Sequence, residues 1–326
     1  MLPQGCTSPK EVVFTGRTMG TTYHIKLVAG YFKRTSGLQP RIDERLESIN
    51  QSMSTYIHDS EISRFNRSGD TREAFGASDD FLRVMRVAQK LYVMTDGAWD
   101  GTIKPLVDLW GFGSRKRGTQ LPGADTIDSM LKTVGFDRID ISSQGGVRKK
   151  HPSVTLDFAS IAKGYAVDQI ALLLKTAGIE NFIVEIGGEV YASGVRQDGE
   201  KWRVGVNLPS RQASEKEVYS VILLSNLAMA PSGDYRNFFE KDGIMYSHIL
   251  DPRTGYPVRN GVVSVTVIVA DCTFADGLAT AVMVMGPDNG RALIERLPGV
   301  EGLIIQRNTD NQLVDHATSG FAALTQ

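Results

Sequence analysis

The sequence predicts an α+β fold in which mixed or antiparallel sheets carry flanking helices. First, short runs rich in β-branched and aromatic residues alternate with longer segments that have the apolar spacing of helices. Second, turn residues separate short apolar runs, as at residues 197–199 and 308–310. Third, we find neither an internal repeat of fixed period nor a low-complexity linker. We therefore predict a tether over residues 1–11 and one domain over residues 12–326, which long crossovers can divide into two lobes.

The predicted helices rest on apolar periodicity and on their end signals. The clearest covers residues 81–94, where apolar side chains share one face and Ser78-Asp79-Asp80 supplies a cap and an acidic first turn. Gly135 and Gly178 each follow another helical pattern, as is typical of helix ends. The predicted helices are residues 41–53, 81–94, 126–134, 161–177, 274–285 and 290–297.

The predicted strands are short and mostly apolar. Residues 11–29 are predicted as one strand with a kink at Thr18-Met19-Gly20-Thr21. Two hairpins are expected, one pairing Glu189–Ser193 with residues 202–206 and one pairing residues 303–306 with 312–315. The remaining predicted strands are residues 153–156, Phe182–Ile186, Val218–Leu224, 245–250 and 262–270.

The overall composition argues against two classes of function. The 326 residues carry 36 Lys and Arg against 37 Asp and Glu, a formal net charge of −1. A nucleic-acid-binding surface needs concentrated positive charge, so we expect no nucleic-acid partner. The longest apolar runs, such as residues 171–174, are far shorter than the roughly 18 to 20 residues of a membrane span.

The two cysteines have different surroundings. Cys272 precedes an apolar helical segment and is predicted to be a small core residue. Cys6 follows Gly5 in a polar segment that resembles the end of a bacterial lipoprotein signal, with the cysteine as the lipidated residue. Pro3 and Gln4 are unusual there, and the alternative is an incidental cysteine of a cytosolic chain. The preferred interpretation predicts a lipid-anchored protein at the periplasmic face of the bacterial inner membrane.

A predicted helix start carries a candidate phosphate site. A short strand leads into Asp157, and the chain then turns through Ser160 into the helix that holds Lys163. Amide groups at a helix start and a nearby ammonium both favour a phosphate. The alternative is structural, because serine is also a common N-cap residue.

Asp276 and Thr280 form a candidate metal site. They are four residues apart in a predicted helix, so their side chains share one face. A carboxylate and a hydroxyl are hard oxygen ligands of the kind that Mg²⁺ takes while it keeps several waters. The alternative is that Asp276 caps the helix and that Thr280 bonds to the helix backbone.

Another segment carries groups suited to proton transfer. His248 and Asp251 lie where a predicted strand runs into the Asp251-Pro252 turn. Each can act as an acid, a base or a ligand. A lone histidine is also compatible with a purely structural role.

Aromatic residues beside glycines suggest a site for a flat ring. Ala98, Trp99 and Asp100 follow Gly97, and a glycine next to an aromatic side chain lets a ring approach the backbone closely. The alternative is an ordinary turn with a core tryptophan. Tyr56, after the first predicted helix, is a candidate exposed side chain for stacking on a ring.

In this order, these segments resemble the ApbE family, the FAD:protein FMN transferases. The resemblance covers nearly the whole chain, and its departures are mild. Met229-Ala230-Pro231 stands where the family more often has Thr before Ser-Gly, and Ser160 occupies a position where small residues vary. The matching motifs are Thr18-Met19-Gly20-Thr21, residues 98–100, residues 157–163, Ile186-Gly187-Gly188-Glu189, residues 232–237, residues 248–255 and residues 276–280.

The resemblance implies an ApbE-like architecture, related to the T-fold, and assigns site residues. It implies that Mg²⁺ is held by the backbone carbonyl of Ser160 and by the side chains of Asp276 and Thr280. Tyr56 would stack on the flavin or on the adenine ring. The residues implied to contact FAD are Met19, Tyr56, Ala98, Trp99, Asp100, Asp157, Lys163 and Leu250.

The implied reaction moves FMN from FAD to a Thr or Ser hydroxyl of an acceptor protein. The hydroxyl attacks the FMN phosphorus, AMP leaves, and a phosphoester joins the flavin to the protein. His248 is the first candidate for the general base and Asp251 the second. The implied acceptors are flavoprotein subunits of membrane redox complexes, including sodium-pumping NADH:quinone reductase.

Three other functions stay open at this point. Ser160 with Lys163, residues 235–237 and residues 253–255 resemble the motifs of penicillin-binding serine enzymes, but the last two motifs are too close together. A non-catalytic FAD-binding lipoprotein would have the same site, although a metal-ligand pair favours catalysis. A metal-dependent FAD pyrophosphatase, in which water replaces the acceptor hydroxyl, is the third.

Overall fold

A computed structural model describes residues 10–29, 35–113, 120–210, 217–234 and 237–326. The predicted tether up to residue 9, with Cys6, lies outside the described residues, as do Tyr235 and Arg236 of the ApbE-like motif. No helix within the described ranges is long and apolar enough to cross a membrane.

The described strands are β1 (Lys10–Thr18), β2 (Thr21–Ala29), β3 (Phe75–Gly76), β4 (Ile139–Ile141), β5 (Gly146–Lys149), β6 (Phe182–Ile186), β7 (Glu189–Ser193), β8 (Trp202–Asn207), β9 (Val218–Leu224), β10 (Leu227–Gly233), β11 (Phe238–Lys241), β12 (Ile244–Ser247), β13 (Val262–Val269), β14 (Glu301–Arg307) and β15 (Leu313–Ala317). The described helices are α1 (Leu38–Met53), α2 (Glu61–Arg67), α3 (Asp79–Met94), α4 (Lys104–Trp110), α5 (Ala124–Leu131), α6 (Ala162–Thr176), α7 (Cys272–Met285) and α8 (Pro287–Glu295). Two 3₁₀ turns cover Phe136–Arg138 and Phe321–Leu324.

A large antiparallel sheet organises the chain, which confirms the predicted α+β class. Its strand order is β1-β2-β6-β7-β10-β13-β14-β15, and every neighbouring pair is antiparallel. Smaller sheets pair β3 and β4 with β5, β8 with β9, and β11 with β12. The predicted division of residues 12–326 into two lobes stays a prediction.

Both faces of the central strands are covered. Helix α7 packs on β10 and β13, α6 packs on α7, and α1 packs on α6, which encloses the largest apolar core. The pair β8–β9 covers the opposite face, where Trp202 and Ile222 pack against Val190 and Met229. Every residue of β7 is therefore buried, because successive side chains point alternately into the two cores.

Most predicted helices are confirmed within a few residues. Helix α3 begins where the sequence indicated, and the Ser78 hydroxyl accepts a hydrogen bond from the Phe81 N–H at 3.2 Å. Cys272 is a buried, free cysteine at the start of α7, as expected of a core residue. The final hairpin is also confirmed as β14 and β15.

Three predicted strand assignments are wrong. Residues 11–29 form a hairpin, because Met19 and Gly20 both adopt the left-handed conformation that a tight turn requires. Residues 189–193 do not pair with residues 202–206. Strand β7 instead pairs with β6, to which the two-residue turn Gly187-Gly188 connects it, and β8 pairs with β9.

The third error concerns residues 153–156, which do not form a strand. The side chain of Asn66 takes the place of a neighbouring strand there. It accepts a hydrogen bond from the Leu156 N–H at 2.6 Å and donates one to the Leu156 carbonyl at 2.8 Å. The Asp157 N–H then donates to the Gly101 carbonyl at 2.8 Å, so these backbone groups are satisfied without a sheet.

Strand β10 was not predicted, and it contains Pro231, a residue type that is disfavoured in a central strand. The sheet accommodates this proline since β10 pairs with β7 only over Leu227–Met229 and continues alone along β13. No ladder hydrogen bond is needed from Pro231 on the β7 side. Residues 231–233, which have no β7 partner, line a cavity.

Helices α6 and α7 approach each other closely at Gly164. The Gly164 N–H donates a hydrogen bond of 2.9 Å to Oδ2 of Asp276 on α7. A methyl group at Gly164 would overlap the carbonyl oxygen of Cys272 and would lie 2.8 Å from Cβ of Asp276. Only glycine permits this approach, so the residue fixes the distance between the two helices.

We predict that Gly164→Ala destabilises the fold by about 1–3 kcal/mol, the usual cost of overpacking, because backbone of α7 must move. Urea unfolding followed by circular dichroism measures this change. Gly69→Ala is the matched control, since a methyl group there meets open space and should change stability by less than about 0.5 kcal/mol. Equal stability of the two variants would contradict the packing argument.

Candidate active site

A cavity of about 740 Å³ gathers most of the predicted site residues. Its volume lies within the range of pockets that hold cofactor-sized ligands. It is bounded by the start of α6, the β6–β7 turn, the end of β10 and one side of α4. The predicted residues that line it are Tyr56, Ala98, Trp99, Asp100, Asp157, Ser160, Lys163, His248, Leu250, Asp276 and Thr280.

Two predicted site residues do not line this cavity. Met19 lies in the β1–β2 turn with φ of 49° and packs against the main core. The Asp251 carboxylate accepts hydrogen bonds from the backbone N–H and the guanidinium of Arg253, at 2.9 and 2.8 Å. These bonds order the turn after β12, so Asp251 is better suited to a structural role than to proton transfer.

The start of α6 differs from the sequence-based expectation. Ser160 is not the N-cap, because Ile161 occupies that position and no side chain caps the helix. The Ser160 hydroxyl instead accepts a hydrogen bond from Nε1 of Trp99 at 3.1 Å. The N–H groups of Ala162 and Gly164 are already bonded within the protein, so fewer amides face a phosphate than predicted.

Lys163 lies between two buried carboxylates. Its Nζ is 2.5 Å from Oε1 of Glu189 and 4.0 Å from Oδ1 of Asp276. The Lys163 stem passes beside Gly187 in the β6–β7 turn, where a methyl group would come within 3.3 Å of it. The other oxygen of Glu189, Oε2, is buried and has no hydrogen-bond partner among the described residues.

The electrostatics of this cluster favour an additional cation. Burial opposes a charge on Lys163, but the carboxylates of Asp276 and Glu189 outweigh this effect and raise the pKa of Lys163. Burial raises the pKa of Glu189 and of Asp276, and the Lys163 ammonium offsets only part of this rise. Two buried carboxylates thus share one ammonium, and more positive charge would stabilise them.

Asp276 and Thr280 are arranged as a partial metal site. Asp271 is the N-cap of α7, and Asp276 lies inside the helix. The structural alternative, in which Asp276 caps the helix, is therefore wrong. Both side chains line the cavity from α7, and Ser160, which precedes α6, lines the same cavity. The carboxylate, the hydroxyl and the excess negative charge fit a hard cation such as Mg²⁺. Within the described ranges, no cluster of three or more His, Cys, Asp or Glu side chains offers a metal site.

His248 is held as a neutral ring with one free nitrogen. Nδ1 lies 2.9 Å from the carbonyl oxygen of Asn237, which can only accept, so Nδ1 carries the proton. Burial lowers the pKa of His248 below its ordinary value, and the charge of Lys163 acts in the same direction. The lone pair is therefore on Nε2, the arrangement of a general base. The Phe112 ring packs edge-on against the imidazole, with centroids 6.3 Å apart.

The two predicted acidic FAD contacts have different surroundings. Oδ1 of Asp100 accepts hydrogen bonds from the N–H and the hydroxyl of Thr102, at 2.8 and 2.7 Å. Burial raises the pKa of Asp100 to about 6, and its bonds shape the turn after Trp99. Burial also raises the pKa of Asp157. Its Oδ1 accepts a hydrogen bond from the Ala159 N–H at 2.8 Å, and the residue lines the cavity.

Two aromatic residues line the cavity, Trp99 as a buried part of its wall and Tyr56 as an exposed side chain at its rim. Trp99 is almost fully buried, and its Nε1 donates a hydrogen bond to the Ser160 hydroxyl, which holds the indole in the cavity wall. Tyr56 lines the same cavity but is 76% exposed. An exposed tyrosine at a cavity rim is suited to stack on a flat ligand, in agreement with the sequence-based expectation.

Sequence reasoning missed the role of Glu189. The residue was noticed only as part of a Gly-Gly-Glu motif, because a buried carboxylate that pairs with a distant lysine leaves no local pattern. Lys104 was also missed, although it lines the cavity and pairs with Asp108 at 2.7 Å. The four-residue spacing of Lys104 and Asp108 is the signal that indicates this pair.

The resemblance to penicillin-binding serine enzymes finds no support in this geometry. A nucleophilic serine needs a base at hydrogen-bond distance. Lys163 is bonded to Glu189, and the Ser160 hydroxyl is bonded to Trp99. Tyr235 of the second motif lies outside the described residues.

The chain is similar to known proteins over nearly its whole length. The ApbE family profile matches residues 19–304. An FAD:protein FMN transferase of Vibrio cholerae is 42% identical over 98% of this chain and 95% of its own length. The solved structure of the flavin transferase ApbE from Vibrio cholerae has a TM-score of 0.88 at 41% identity and covers 97% of this chain and 99% of its own. The apo flavinyl transferase ApbE of Pseudomonas stutzeri has a TM-score of 0.86 at 36% identity and covers 98% of each chain.

These matches extend over nearly the whole chain at identities well above the level at which only a fold is shared. The family profile spans the helices that carry Lys163 and Asp276. The chain therefore belongs to the ApbE family.

Proposed function

We propose that this protein transfers FMN from FAD to a hydroxyl of an acceptor protein. One observation carries the proposal. The same cavity presents an ammonium (Lys163), a pair of hard oxygen ligands (Asp276 and Thr280) and a neutral histidine with a free nitrogen (His248). Phosphoryl-type transfer needs these three elements, and the FAD:protein FMN transferases to which the chain is similar are named for this reaction.

The residues present fit a Mg²⁺ ion, with Asp276, Thr280 and the backbone carbonyl of Ser160 as its protein ligands. When bound, Mg²⁺ neutralises charge on the pyrophosphate oxygens and favours in-line displacement. Asp276 is held ready by the Gly164 N–H, which fixes the orientation of the carboxylate. Lys163 adds a positive charge on the same side of the cavity.

The cavity walls orient FAD. Tyr56 stacks on one of its two ring systems at the rim, and Trp99 provides a fixed apolar wall. Asp157 and Leu250 bound the interior, and the turn shaped by Asp100 keeps Ala98 and Trp99 in place. Rigid walls of this kind reduce the entropy lost when the reacting groups are aligned.

His248 removes the proton from the attacking hydroxyl. The oxygen of a Thr or Ser side chain forms a bond to the FMN phosphorus, and its proton passes to Nε2 of His248. The bond between that phosphorus and the AMP oxygen breaks, and AMP leaves. The Asn237 carbonyl stabilises the imidazolium through Nδ1 during this step.

The acceptors are flavoprotein subunits of membrane redox complexes, including sodium-pumping NADH:quinone reductase. A lipid anchor at Cys6 places the enzyme at the periplasmic face of the bacterial inner membrane, where it meets them. Hydrolysis of FAD is the second candidate function, because water can occupy the position of the acceptor hydroxyl beside His248.

Mass spectrometry of an acceptor domain tests the transfer. We expect incubation with FAD and Mg²⁺ to add the mass of FMN minus water to the acceptor, with release of AMP. Asp276→Ala should lower the rate by about two orders of magnitude or more, because a bound metal supplies several kcal/mol of charge stabilisation. Asp128→Ala, an exposed change on α5, serves as the control. AMP and free FMN with an unmodified acceptor would indicate a hydrolase.

The pH dependence of the reaction tests the role of His248. A base must be neutral, and since burial lowers the pKa of His248, activity should persist below pH 6.5 and fall only at more acidic pH. His248→Gln should lower kcat by about 10²- to 10⁴-fold and remove this acidic limb. His151→Gln, at an exposed histidine outside the cavity, is the control. Near-normal turnover of His248→Gln would contradict the assignment.

A further inference from the structure

We propose that Glu189 is a positioning residue that keeps Lys163 away from Asp276, so that a divalent cation and not the lysine occupies Asp276. The inference rests on the metal site proposed above. It assigns a role to a carboxylate that is not itself a metal ligand in that proposal.

The distances in the cluster carry the argument. The Lys163 ammonium lies 2.5 Å from Glu189 but 4.0 Å from Asp276, so its direct partner is Glu189. Without Glu189, the nearest buried negative charge is Asp276, and attraction between opposite charges strengthens as water is excluded. A small rotation of the flexible lysine stem would then close the ion pair and block the carboxylate.

Glu189 is the direct partner of Lys163. The Lys163 stem passes beside the Gly187 turn, and its Nζ donates a hydrogen bond to Glu189, which is 2% exposed. One oxygen of Asp276 is already used by the Gly164 N–H, so Oδ1 is the oxygen that remains for a cation. Lys163 and the cation therefore compete for the same atom.

Glu189 is held in place by the backbone. It is the first residue of β7, directly after the Gly187-Gly188 turn, and pairs with Ile186 of β6. Glu185 supports this turn, because its Oε1 accepts a hydrogen bond of 2.7 Å from the Gly188 N–H. The position of the Glu189 carboxylate is thus fixed by the sheet, and Lys163 adjusts to it.

Binding of Mn²⁺ to the whole chain, without FAD or acceptor, tests the proposal through the electron paramagnetic resonance signal of free Mn²⁺. We expect Glu189→Gln to raise the Kd for Mn²⁺ about tenfold, as is typical when support of a metal ligand is lost. In a Lys163→Met background the same change should raise the Kd by clearly less, because the loss of the Glu189 charge still acts but no ammonium remains to compete.

An equal rise in both backgrounds would overturn the proposal, since Glu189 would then act only through its negative charge. An unchanged Kd in Glu189→Gln, or no Mn²⁺ binding by the unsubstituted chain, would overturn it as well. Glu189→Asp keeps the charge but shortens the reach to Lys163, and we expect its Kd to rise too. This variant replaces Glu189→Gln if the latter does not fold, which circular dichroism of each metal-free protein determines.

Asp276→Ala separates this inference from the proposed function. If Asp276→Ala binds Mn²⁺ as tightly as the unsubstituted chain, the proposed metal site is wrong. If binding depends on Asp276 but Glu189 and Lys163 show no coupling, only the competition is wrong. Glu200→Gln, at an exposed residue before β8, is the control for the loss of one negative charge and should leave the Kd unchanged.

Discussion

The hydrogen bond from the Gly164 amide to the Asp276 carboxylate joins the two helices on which the site depends. It exists because residue 164 has no side chain, which lets the backbone of α6 lie against α7. The contact orients Asp276 and brings Lys163 to the same cavity. A packing constraint between two helices is thus also the constraint that assembles the chemistry.

The second consequence of this contact is a surplus of negative charge in a buried region. Glu189 and Asp276 share the ammonium of Lys163, and one oxygen of Glu189 has no partner among the described residues. Such an arrangement costs stability unless a ligand completes it. Binding of a cation at this cluster would therefore be favoured by the relief of its excess negative charge. His248, which follows β12, has a pKa that burial lowers, and this favours its neutral form.

The sequence predicted which residues meet at the cavity more fully than it predicted the topology. The spacing of Asp276 and Thr280 placed both on one face of α7, as the structure has them, since helical spacing is local. The predicted pairing of β7 with residues 202–206 was wrong. Strand pairing depends on segments that are distant in sequence, and here the short Gly187-Gly188 turn pairs β7 with β6 in place of the longer loop to β8. Asn66, which replaces a strand beside Leu156, and Glu189, which pairs with Lys163, act across long sequence separations and leave no local signal.

The positions of a divalent cation and of the FAD pyrophosphate are the most direct test of the proposed site. Anomalous diffraction from crystals grown with Mn²⁺ and FAD locates both. We predict one strong peak at about 2.1 Å from oxygens of Asp276 and Thr280, in contact with the pyrophosphate, with Lys163 on the same side. A peak away from Asp276, or a pyrophosphate outside the reach of Lys163, would contradict the central claim.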